Sequence, residues 1–168
     1  MTMIQCISPV DGSVYAERPA MGFDEAKAAI ARVRKAQKAW AKRPLEERVS
    51  LVLKGVARLN EMADDVVKEL AWQMGRPVKY GGEFKGFNER SNYVASIAHD
   101  ALAPMVVEKS ASFERYITRE PHGVVFVIAP WNYPYMTAIN TVAPALMAGN
   151  TVVIKHASQT LLVGERLG

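Results

Sequence analysis

Two short apolar runs, Val124–Ala129 and Thr151–Lys155, are rich in β-branched residues and too short for buried helices. They read as strands, and the continuous character of Val124–Ala129 predicts burial on both faces. Between them, Trp131-Asn132-Tyr133-Pro134 leads into helical residues as far as Met147, and Gly149-Asn150 supplies a stop. Parallel strands need a crossover, and strand–helix–strand at this spacing predicts a right-handed parallel βαβ unit. In such a unit both strands end at one edge of the sheet. Pro130–Asn132 follow the first strand and Lys155–Ser158 follow the second. Open parallel sheets bind ligands in the crevice at those carboxyl ends. Topology therefore brings Asn132 and Lys155 to one ligand-binding edge, but it does not fix the chemistry.

Upstream the pattern is mostly helical. Ile4–Ile7 and Val14–Glu17 flank Pro9-Val10-Asp11-Gly12 and predict a hairpin. Ala26, Ile30, Val33 and Trp40 predict a helix over about Asp24–Trp40. A second helix follows Pro44, with Glu46 and Glu47 near its positive end and Leu51, Val52, Val56 and Leu59 as its apolar stripe. A third spans Met62–Met74 and stops at Gly75 and Pro77. A fourth spans about Glu83–Ala101, closed by Pro104. Met105–Glu108 and Phe113–Arg119 alternate like strands. Ser158 or Thr160 is expected to cap a last helix. Gly81, Gly82 and Gly86 follow no strand and do not match the dinucleotide fingerprint, so no phosphate loop is expected there.

Several function classes are disfavoured. The 21 basic and 17 acidic residues leave a formal charge of +4, spread along helical stretches, which gives no nucleic-acid footprint. No segment approaches the roughly 18 uninterrupted apolar residues of a membrane span. No basic-then-apolar leader opens the chain. Cys6 stands alone, and His99, His122 and His156 are isolated, so neither a disulfide nor a metal centre is expected. The expectation is a cytoplasmic protein with no metal, nucleic-acid partner or membrane anchor.

The decisive residues are Arg119-Glu120-Pro121, Gly123-Val124-Val125, Ala129-Pro130-Trp131-Asn132-Tyr133-Pro134, Ala143-Pro144-Ala145-Leu146 and Ala148-Gly149-Asn150-Thr151-Val152-Val153-Ile154-Lys155. This run resembles the NAD(P)-dependent aldehyde dehydrogenase superfamily. Ala39-Trp40, Glu47-Arg48 and Gly75-Arg76-Pro77 extend the resemblance upstream. It implies an α/β fold: the N-terminal part of a Rossmann-like cofactor-binding domain, with helices followed by parallel βαβ strands. Residues 1–168 would be a partial cofactor-binding domain and 105–120 an oligomerisation arm, with the catalytic domain absent. The implied activity is oxidation of an aldehyde to a carboxylic acid with NAD or NADP.

On residues alone Asn132 could be a turn residue or a site residue. The resemblance implies that its amide faces the substrate oxygen, where a fixed neutral donor stabilises developing negative charge. It implies that Ile128, Ala129, Pro130 and Trp131 lie along the cofactor, although Pro130 and Trp131 could also be packing. Lys155, otherwise a plausible surface lysine, would bind the adenosine ribose. Ser158 stands where many NAD-preferring members carry a ribose-gripping glutamate, and His156 where many carry proline. Tyr133, Met136, Thr137 and Asn140 recur at helical spacing and would line the aldehyde tunnel, with core packing a competing role for Met136.

In the family a cysteine thiolate attacks the carbonyl, hydride transfer leaves a thioester, and a glutamate activates water for hydrolysis. Neither that cysteine nor that glutamate is expected within these residues, and Cys6 sits in the wrong segment. The chain is expected to be an inactive fragment of an enzyme that acts on a semialdehyde or another bulky, polar aldehyde. The parent is expected to be a homodimer or homotetramer. A non-catalytic nucleotide-binding module and a degenerate assembly subunit remain open alternatives.

Overall fold

A computed structural model describes residues 2–168. The chain opens with an antiparallel hairpin of β1 (Met3–Ile7) and β2 (Val14–Pro19). Its turn is closed by the Ser8 amide on the Ser13 carbonyl at 2.8 Å and by Asp11, whose carboxylate accepts the Ser13 amide at 3.0 Å. Gly12 supplies the positive φ (76°) that the turn requires. Four helices follow: α1 (Phe23–Trp40), α2 (Leu45–Glu61), α3 (Ala63–Met74) and α4 (Phe84–Leu102). Glu25 accepts the Gly22 amide at 2.8 Å and so secures the start of α1. Gly75, left-handed at φ 76°, ends α3 where the sequence places the stop.

The ribbon β3 (Met105–Lys109) and β4 (Glu114–Ile117) comes next, followed by β5 (Val124–Ile128), α5 (Pro134–Met147) and β6 (Thr151–Lys155). Strands β5 and β6 are parallel, in register from Val124↔Thr151 to Ile128↔Lys155. One 3₁₀ turn, Ser158–Thr160, precedes the short α6 (Val163–Leu167).

One core joins the helices: Val52, Val56 and Leu59 of α2, Val66 and Leu70 of α3, Phe87 of α4, and Tyr135, Ile139, Ala143 and Met147 of α5. Full burial of each large apolar side chain here contributes roughly 1.5–3 kcal/mol. The final carbonyls of α5 lack helical partners and are met by side chains from other helices. The Trp40 indole donates to the Leu146 carbonyl at 2.8 Å, and Arg48 Nε donates to the Met147 carbonyl at 2.9 Å. Asn150 joins the two strand starts, accepting the Gly123 amide at 2.9 Å and donating to the Ala145 carbonyl at 3.2 Å. These contacts fix where α5 ends and where the sheet begins. They therefore also set the position of the opposite, carboxyl edge.

Two expectations are corrected. Strand β5 is not buried on both faces: Val127 is buried, but Phe126 and Ile128 are 61% and 70% exposed. The sheet has two strands among the described residues, and the face bearing Phe126 and Ile128 has little packed against it. Ser158 and Thr160 do not cap the last helix. Ser158 opens the 3₁₀ turn without a side-chain cap bond, and Leu162 precedes α6. Thr160 is buried, and its hydroxyl has no protein partner. No helix among the described residues is long and apolar enough to cross a membrane.

Candidate active site

Ile128 and Lys155 are register partners at the ends of β5 and β6, and the Ala129 amide extends the ladder to the Lys155 carbonyl at 3.1 Å. The sequence's two candidate segments therefore leave the sheet side by side. Ala129 is buried and Pro130 half-buried, whereas Trp131, Asn132 and Tyr133 are exposed. Among the described residues no hydrogen bond engages the side-chain amide of Asn132, so it is free to meet a ligand. Lys155 and Ser158 are likewise exposed at this edge. His156, between them, is half-buried, and burial holds its imidazole below the usual histidine range, with the Lys155 charge acting in the same direction.

Pro134 occupies the first turn of α5, where a missing N–H costs little. Tyr133 precedes it without a side-chain cap. The open amides of this turn are met from α4: Glu83, just before that helix, accepts the Met136 amide at 2.6 Å. Its other oxygen pairs with Arg76 at 2.8 Å, and Arg76 in turn donates to the Asn132 carbonyl oxygen. The guanidinium also lies 4.9 Å from the Tyr133 ring centroid. Burial pushes the Glu83 carboxyl above its ordinary range, against the pull of the Met136 amide and Arg76.

Arg90 of α4 donates to the Met136 carbonyl and to Asn140 Oδ1, both at 3.2 Å. On α5, Thr137 and Asn140 are exposed and Met136 is half-buried. Gly86 makes room for this packing: a Cβ there would stand 2.5 Å from Met136 Sδ. Glu83, Arg76 and Arg90 were not predicted as site residues. Their partners are distant in sequence, and the available signal was a carboxylate directly after Gly81-Gly82 and an arginine between Gly75 and Pro77. A groove of about 580 Å³ between α2 and α4 is lined only by residues of those two helices, and none of the sheet-edge residues borders it.

Cys6 is fully buried, and its thiol donates to the Gln159 carbonyl at 3.1 Å. Burial raises its pKa, which suppresses the reactive thiolate.

The model of the aldehyde dehydrogenase family matches residues 1–168. The chain belongs to the aldehyde dehydrogenase family. It is 32% identical over 156 residues to a 3-sulfolactaldehyde dehydrogenase of Pseudomonas putida, covering 92% of this chain and 32% of that protein. Identity is 33% over 160 residues to a probable NADP⁺ succinate-semialdehyde dehydrogenase of Sinorhizobium fredii, covering 93% of this chain and 32% of that protein. Among solved structures, an NADP-dependent glyceraldehyde-3-phosphate dehydrogenase of Bacillus halodurans, complexed with NADP, superposes with TM-score 0.88 at 32% identity. That match covers 99% of this chain and 37% of the other. The chain thus spans about a third of the length of the aldehyde dehydrogenases it matches. Its mixed α/β architecture is that of their Rossmann-like part.

Proposed function

We propose that the complete enzyme carrying this chain oxidises an aldehyde to a carboxylic acid with NAD or NADP, with Asn132 as an oxyanion donor. The supporting observation is that Asn132 and Lys155 leave register-paired strand ends in a chain that matches the family throughout. The edge suits a dinucleotide: an exposed ammonium at Lys155 and a hydroxyl at Ser158 match ribose or phosphate oxygens. Ile128, Ala129, Pro130 and Trp131 would lie along it, and its chemistry is to accept hydride. Asn132 would donate from its neutral amide to the aldehyde oxygen as negative charge develops. Residues 1–168 would be a partial cofactor-binding domain, with the nucleophilic thiol and general base supplied from outside it.

Tyr133, Met136, Thr137 and Asn140 would line the aldehyde's approach. The Arg90–Asn140 contact adds a charged donor to that wall and favours polar or carboxylate-bearing substrates such as semialdehydes. The test is NAD(P)H formation by the complete enzyme on acetaldehyde, benzaldehyde and succinic semialdehyde, repeated with Asn140→Trp. We expect turnover, none from residues 1–168 alone, and a several-fold loss of kcat/KM for succinic semialdehyde relative to acetaldehyde in the variant. Nucleotide binding without turnover of any aldehyde would return the protein to a non-catalytic module. An unchanged preference would remove Asn140 from the tunnel.

We also place the subunit contact at residues 105–120. Every residue of β3 and β4 is exposed, including Met105, Val106, Val107, Tyr116 and Ile117 at half their surface or more. A two-stranded ribbon with exposed apolar side chains and free edges is poorly stable alone and invites a partner strand, although Lys109–Glu114 and Arg115–Glu108 ion pairs also span it. Sedimentation of the complete enzyme is expected to give a homodimer or homotetramer. A monomer would reject this assignment.

A further inference from the structure

We infer that Glu83, acting through Arg76, is a positioning residue for Asn132; the inference rests on the oxyanion role proposed above. Asn132 sits in an exposed loop between β5 and α5, and an oxyanion donor is useful only when its backbone is fixed before the reaction. Glu83 grips the segment 132–136 at both ends. One carboxylate oxygen takes the Met136 amide at 2.6 Å. The other holds Arg76 at 2.8 Å, and Arg76 donates to the carbonyl of Asn132 itself. The Arg76 guanidinium also faces the intervening Tyr133 ring. The carboxylate side chain is 1% exposed and the guanidinium side chain 12%. Both carboxylate oxygens and two guanidinium nitrogens are thereby committed, leaving the pair little freedom to reorient.

Burying such a pair is costly, and a well-packed apolar pair is often as stable. Stability alone therefore explains this arrangement poorly, whereas directional control of one loop carbonyl explains it directly. A cap on α5 needs only the Met136 contact. The relay through Arg76 reaches past the helix to the residue whose side chain meets the substrate.

Glu83→Gln in the complete enzyme separates these roles, because it keeps an acceptor oxygen for Met136 but loses the charge that orients Arg76. We expect kcat to fall about tenfold, with cofactor Kd and aldehyde KM changed less than about twofold, since small misplacements act on the transition state. The same substitution in an Asn132→Ala background should cost less than about twofold more, because residues acting as one unit are non-additive. Arg76→Lys should reproduce both results with the Glu83–Met136 bond intact, and it carries the cycle if Glu83→Gln does not fold. Independent, multiplicative losses would overturn the positioning role and leave Glu83 as a cap on α5. If Asn132→Ala alone leaves kcat within about threefold, the oxyanion reading fails first, and the cycle identifies that failure separately.

Discussion

Asn132→Ala in the complete enzyme is expected to lower kcat about 100- to 1,000-fold, the typical cost of removing one oxyanion donor. Cofactor affinity should change little. The Asn132 side chain is exposed, and among the described residues no hydrogen bond engages it. Its removal therefore breaks no hydrogen bond among those residues, and the backbone contact from Arg76 to its carbonyl survives truncation. The loss should appear in the transition state alone, as a fall in kcat with folding and nucleotide binding preserved. Single-turnover kinetics make the measurement decisive where product release limits the steady state. A loss smaller than about threefold in the chemical step would contradict the role assigned to Asn132.

The parts of the fold legible in sequence were those set by local pattern. Apolar β-branched runs marked β5 and β6, and the crossover rule made them parallel and aligned their carboxyl ends, as the Ile128↔Lys155 pairing shows. Gly12 and Gly75 marked a turn and a helix end because both need positive φ. Exposure of Phe126 and Ile128 was not legible, because a run's composition does not reveal what packs over each face. The capping role given to Ser158 and Thr160 failed for a related reason. Their residue types suit a cap, but the 3₁₀ turn delays the helix to Val163. Glu83 was invisible as a site residue because its contact with Met136 bridges 53 positions. Likewise Arg90 meets Asn140 across 50. Helical periodicity places such residues on an element but does not indicate which distant loop their charge will hold.

The correction at Ser158 sharpens the expectation for cofactor choice: the complete enzyme should accept NADP as well as NAD. With no capping bond, the Ser158 hydroxyl is exposed and available to a ligand at the sheet edge. Lys155, three residues earlier and also exposed, would supply the positive charge, and burial holds the His156 imidazole between them below its usual range. A glutamate at position 158 would repel a 2′-phosphate and compete for the Lys155 ammonium, while it could still accept hydrogen bonds from the ribose hydroxyls of NAD. Like-charge contact of this kind costs up to several kcal/mol when desolvated, and each 1.4 kcal/mol is about tenfold. At this exposed edge screening reduces the effect, so Ser158→Glu should lower the NADP-to-NAD ratio of kcat/KM by about 10- to 100-fold, mainly through KM for NADP. Initial rates with each nucleotide at saturating aldehyde, for the parent and the variant, provide the comparison. No measurable rate with NADP in the parent, or an unchanged ratio in the variant, would remove Ser158 and Lys155 from the 2′-phosphate site.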